Sequence, residues 1–187
     1  MGNIAATGHI GKQVKLADVS RRIFTFPNPV NEVAARTVAA GVLTLTVLII
    51  VLGSTAGSAW LWLDALLVYG FVARVLSGPT LSLLGQFATR VAAPRIGHEK
   101  LVAGPPKRFA QLLGAIMSTT ALVLHAAGAD TGAYVVLGLI VVAATLESVF
   151  AFCVGCTAFA GLMRLGVIPE ETCEACANVS LRLNTAS

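Results

Sequence analysis

Four cysteines stand in two pairs, Cys153-Val-Gly-Cys156 and Cys173-Glu-Ala-Cys176, with sixteen residues between them. Residues three apart share one face of a helix, so each pair can offer two sulfurs together. Four converging thiolates have two main uses. They hold a zinc or iron ion tetrahedrally, or they work as dithiols in which one thiolate attacks a disulfide. The spacing lies in the range of a paired C-x2-C metal site, and isolated buried cysteines would not come in pairs. Two features divide the alternatives. Glu170, Glu171 and Glu174 flank Cys173 and oppose a thiolate there, partly offset by Arg164, which falls eight residues after Cys156. Neither pair is followed by the glycine-rich knuckle of a zinc ribbon. Both uses therefore stay open, with Cys153, Cys156, Cys173 and Cys176 as redox residues in one and metal ligands in the other.

To bring the pairs together the chain must turn back. Phe159–Leu165 can prolong the helix that carries the first pair, Gly166 supplies a stop, and Pro169-Glu-Glu171 supplies a new start with acids in its first turn. The spacing predicts a C-terminal helical hairpin over about 153–183, with Cys153 level with Cys176 and Cys156 level with Cys173.

The elements that carry this hairpin are written in the composition. The chain has 187 residues, 56% hydrophobic and only 12% charged, with a mean hydropathy of +0.83. A soluble domain carries about twice that share of charge, so a soluble globule and a disordered chain are excluded. Four runs are long and apolar enough to cross a bilayer: Val33–Leu52, Ala59–Leu76, Phe109–Ala127 and Gly132–Cys153. The expected fold is all-α, an integral membrane four-helix bundle over residues 31–187, preceded by a mobile cytoplasmic arm over 1–30. Pro27, Pro29 and Asn31 should stop or cap the chain at the start of the first span. Between the second and third spans, Leu81, Leu84, Phe87, Ala88 and Val91 recur at helical steps. They predict an amphipathic helix along the inner membrane face, broken by Pro94 and again by Gly104-Pro-Pro106.

All 13 Lys and Arg fall on the arm with the entry turn of the first span, the linker between spans two and three with its margins, and the tail. The loops at 53–58 and 128–131 have none. The positive-inside rule then puts both termini in the cytoplasm, which accounts for the basic charge without nucleic acid. It also places the cysteines on the reducing side, where metal binding or redox chemistry is the usual role. Ser20-Arg-Arg-Ile-Phe24 resembles a twin-arginine signal, but the apolar run behind it is too long for a signal's core. The start lacks the Ser or Thr of a myristoylation site.

Ionisable residues inside spans are functional or structural pairs. Glu147 is expected to point into the bundle and pair with Arg36 or Arg74. In an unbroken helix it would lie well round from Cys153 and nearly opposite Cys156. Asp64 and His125, near the outer ends of spans two and three, are expected to pair structurally. His9 and His98 lack ligand spacing.

Phe26-Pro-Asn-Pro-Val-Asn-Glu32, Gly104-Pro-Pro-Lys-Arg-Phe-Ala-Gln111, Phe152-Cys-Val-Gly-Cys156 and Pro169-Glu-Glu-Thr-Cys-Glu-Ala-Cys176 resemble the bacterial membrane family of unknown function numbered 4395, over about residues 24–179. The resemblance implies four spans and an association with thioredoxin-like and sulfurtransferase neighbours, but no established activity. The expected function is thiol–disulfide or sulfur-transfer chemistry with such a soluble partner. The non-enzymatic alternative is a structural zinc or iron site, the only cofactor expected. A third class, transport of a small sulfur compound, rests on Asp64, His125 and Glu147 and would need a homo-oligomer to supply a pathway.

Overall fold

The computed structural model describes residues 30–96 and 101–168. The N-terminal arm, His98, and the segment with Cys173 and Cys176 where a return helix is expected lie outside the described residues, so the expected hairpin is described only as far as its turn.

A short strand β1 (Val30–Asn31) leads into α1 (Glu32–Ala56). The expected cap is there: Asn31 Oδ1 accepts from the backbone N–H of Val33 at 2.8 Å and of Ala34 at 3.3 Å, satisfying two donors that the helix itself leaves unpaired. The second span has two parts, a 3-10 segment over Ser58–Leu63 and then α2 (Asp64–Ser77). Trp60 and Trp62 project from the 3-10 segment, an arrangement suited to the membrane–water boundary.

The linker helix forms as α3 (Leu83–Phe87), a π-helical turn over Ala88–Ala92 and α4 (Ala93–Ile96). Ser82 caps it, its Oγ accepting from Gly85 N–H at 3.2 Å. Pro94 does not break this helix, contrary to the sequence reading. The widened π turn ends just before it, where proline would otherwise crowd a carbonyl of the preceding turn. The apolar face also divides. Ala88 is buried and Leu84 packs against the core, whereas Leu81 and Phe87 are exposed beside Leu83.

Strand β2 (Leu101–Val102) pairs antiparallel with β1, Val30 opposite Val102 and Asn31 opposite Leu101. This clasp, not anticipated from sequence, puts the starts of α1 and α5 (Gly104–Ala126) at the same end of the bundle. Pro105 and Pro106 stand in the first turn of α5, where a missing N–H costs nothing. The helix therefore starts five residues before the expected span.

Helix α6 (Asp130–Phe150) packs between α5 and α1, and α2 packs on the far side of α5. The seams are built of small residues, among them Ala39, Ala115, Ala121, Ala133 and Ala144, which let helix backbones approach closely. The buried hydroxyls of Thr46 and Ser118 bond to carbonyls in their own helices. Leu48, Leu66, Ile116, Leu139 and Val142 face outward. Four helices are long and apolar enough to cross a membrane, and these outward side chains are what such a bundle would present to lipid.

The fourth span ends at Phe150, and Cys153 is not part of it. Ala151 adopts a left-handed conformation, φ 55°, and Phe152 N–H bonds to the Leu146 carbonyl. The chain turns and restarts as α7 (Val154–Arg164). An alanine in this region costs about 1–2 kcal/mol. Gly166 has φ 72°, as expected of a helix stop.

Candidate functional site

The turn at Ala151 makes Cys153 the N-cap of α7. Its Sγ accepts from the Cys156 backbone N–H at 3.3 Å, the position an Asp or Ser side chain usually fills. Two contacts fix α7 against α5. Phe159 packs on Phe109 with ring centroids 5.6 Å apart. A Cβ built on Gly155 would lie 2.5 Å from Ala110 Cα and Cβ, so only glycine allows this approach. The second intervening residue of Cys153-Val-Gly-Cys156 thus has a packing reason.

Lys107, near the start of α5, bonds Glu147, near the end of α6, with Nζ 2.6 Å from Oε1. This corrects the expected pairing of Glu147 with Arg36 or Arg74. It also overturns the separation of Glu147 from the cysteines, which assumed one unbroken helix. Glu147 does face the bundle, beside Val38, Phe71 and Gly155, but the break at Ala151 returns the chain so that the ion pair acts on both thiols.

The electrostatics separate the two cysteines. Cys153 is buried and Cys156 partly so. The Cys156 thiol, hydrogen-bonded to Cys153, lowers the Cys153 pKa; Lys107 and the Cys156 N–H act the same way, against burial and Glu147. That same thiol contact, with burial, pushes Cys156 up. Cys153 is thus the more acidic thiol of the pair, the asymmetry expected of a nucleophile and its resolving partner. An open cleft of about 450 Å³ lies over them, lined by Glu32, Pro106, Lys107, Phe152, Cys153 and Cys156 among others.

The remaining polar residues take separate places. Arg36 donates to the carbonyls of Ser148, at 3.1 and 3.0 Å, and Val149, at 3.1 Å, neutralising the C-terminal end of α6. Arg74 is buried, donating to Gln111 Oε1 at 2.7 Å and Ser82 Oγ at 3.1 Å, with its guanidinium 4.8 Å from the Phe71 ring centroid. The expected Asp64–His125 pair does not form. His125 Nδ1 lies 2.6 Å from Asp130 Oδ1, and the Trp62 and His125 rings stand in a T-shaped contact with centroids 5.0 Å apart. Asp64 is buried, and neither of its carboxylate oxygens has a hydrogen-bond partner among the described residues.

No three His, Cys, Asp or Glu side chains gather as a metal site among the described residues. Cys153 and Cys156 supply two soft donors suited to zinc or iron; a complete set would draw on Cys173 and Cys176.

Sequence reasoning missed Lys107, Asp130 and Gln111. Lys107 served there only as one of the inside positive charges, because the third span was drawn from Phe109. A usable signal existed. Lys107 stands three residues inside the start of α5 and Glu147 three inside the end of α6, so antiparallel neighbours bring them to one depth.

The fold and site define a four-helix bundle with spans of membrane length and a dithiol at the N-terminus of an appended helix. The chain belongs to the family described as Domain of unknown function (DUF4395), which matches residues 30–164. The match includes Cys153 and Cys156 and stops before Cys173. No curated protein and no solved structure matches the chain.

Proposed function

We propose that the protein is a multi-pass inner-membrane protein, both termini cytoplasmic, whose Cys153–Cys156 dithiol exchanges with a soluble thioredoxin-like or sulfurtransferase partner. The observation that carries this reading is Cys153 at the α7 N-cap, held by the Cys156 N–H and thiol beside Lys107, under an open cleft. With a partner disulfide as oxidant, the Cys153 thiolate attacks one partner sulfur and releases the other as a thiolate. Cys156 then loses its proton and attacks Cys153 Sγ. The product is a Cys153–Cys156 disulfide and a reduced partner dithiol. Sulfur transfer follows the same first attack, with a persulfide sulfur passing to Cys153 and the donor leaving as a thiolate.

Rapid acid trapping of cells followed by mass spectrometry tests this. Disulfide or persulfide at Cys153 and Cys156 is expected, and a Cys156→Ser variant should accumulate the mixed disulfide. Fully reduced cysteines under all growth conditions would remove the redox reading. About one zinc or iron per chain in protein purified without chelator would replace it with a structural site using all four cysteines.

A further inference from the structure

A second cavity, of about 230 Å³, lies where α1, α2, α3 and α5 meet, at the end of the bundle that carries the β1–β2 clasp. Its wall is mostly aliphatic, with Ala35, Val38 and Pro79, and its polar edge carries Arg74, Lys107 and Gln111. Arg74 is only 5% exposed, and its described hydrogen bonds go to neutral groups, Gln111 from Nε and Ser82 from Nη1. Nη2 makes none among the described residues, and no described carboxylate lies within ion-pair distance of the guanidinium. Lys107 is matched by Glu147, which leaves Arg74 as the cation of this group with no ion-pair partner among the described residues. Glu147 acts on Arg74 only at a distance; a buried guanidinium without a directly bonded anion is costly, and its planar fork suits a carboxylate or similar group.

We propose that this cavity binds a small monovalent organic anion, its charged group on Arg74 with Lys107 alongside and its short apolar body against Ala35, Val38 and Pro79. The volume equals roughly eight liquid waters, enough for a six-carbon chain. The cavity shares Lys107 with the thiol cleft, but holding an anion on Arg74 requires no reaction of the thiols.

Calorimetry on the full chain in neutral detergent, with acetate, butanoate, hexanoate and the uncharged hexanamide as probes, tests this. Affinity should rise about fourfold per added methylene, and hexanamide should bind at least tenfold more weakly than hexanoate. Arg74→Gln should abolish the difference between those two probes. Ala35→Leu, which fills the apolar part and leaves the charges alone, should remove the gain from acetate to hexanoate while acetate binds as before. Cys153→Ser should bind hexanoate like the wild type, so a failure of the thiol reading leaves this site standing. Equal binding of hexanoate and hexanamide to the wild type, or equal hexanoate binding by wild type and a folded Arg74→Gln, would overturn the proposal. Displacement of hexanoate by excess phosphatidylglycerol would assign the cavity to lipid and overturn it as well.

Discussion

Lys107 and Glu147, forty residues apart in sequence, meet at 2.6 Å between α5 and α6, and the ion pair they form acts on the Cys153 thiol. The two members act on the thiolate with opposite sign, the ammonium favouring it and the carboxylate opposing it.

The first prediction uses that opposition. Alkylation of Cys153 by iodoacetamide should have its pH midpoint below that of an ordinary thiol. Lys107→Gln should raise the midpoint, because the cation is lost and the carboxylate is left unopposed. Glu147→Gln should lower it, because the cation then acts alone. Midpoints that move in the same direction in both variants would contradict the arrangement.

Gly155→Ala should part α7 from α5. The new Cβ meets the Ala110 backbone, which cannot move aside as a flexible side chain would, so a loss of about 1–3 kcal/mol is expected. Thermal unfolding in detergent measures it, and faster maleimide labelling of Cys153 should accompany it.

Arg36→Met should destabilise the same region by another route. The Ser148 and Val149 carbonyls would lose their donor, at a cost of about 1–3 kcal/mol. Hydrogen exchange at the end of α6 should accelerate, while exchange near the middle of α1 should stay as in the wild type.

The orientation can be read by labelling intact cells with a membrane-impermeant maleimide. The native cysteines should stay unlabelled. A cysteine at Ser54 or Thr131, both exposed at the opposite end of the bundle, should react. Labelling of Cys173 or Cys176 from outside would invert the topology.

Ala151→Gly should stabilise the turn before the dithiol by about 1 kcal/mol, since glycine takes φ 55° without the penalty that alanine carries. A chemical denaturation series in mixed micelles, compared with the wild type, gives the value.

The sequence by itself determined the four spans, the Asn31 cap and the expectation, met by Glu147 and not by Asp64, that intramembrane charges would find partners. Apolar length and local capping need only neighbours in the chain, and those are legible residue by residue. It also singled out Cys153 and Cys156. What only the tertiary structure decided is which partner each charge takes. Glu147 has several bases on its own side of the membrane, and the choice of Lys107 over Arg36 or Arg74 follows from the antiparallel register of α5 and α6. Likewise His125 turns to Asp130 across a tight loop and not to Asp64. The break at Ala151 is the deepest case. No glycine or proline marks it, so periodicity carries the helix straight through to Arg164, whereas the packing of Gly155 on Ala110 and Phe159 on Phe109 holds the restarted helix against α5. That packing energy offsets the strain at Ala151, and it leaves Cys153 at a helix start, where an N-cap thiolate has hydrogen bonds that a mid-helix cysteine would lack.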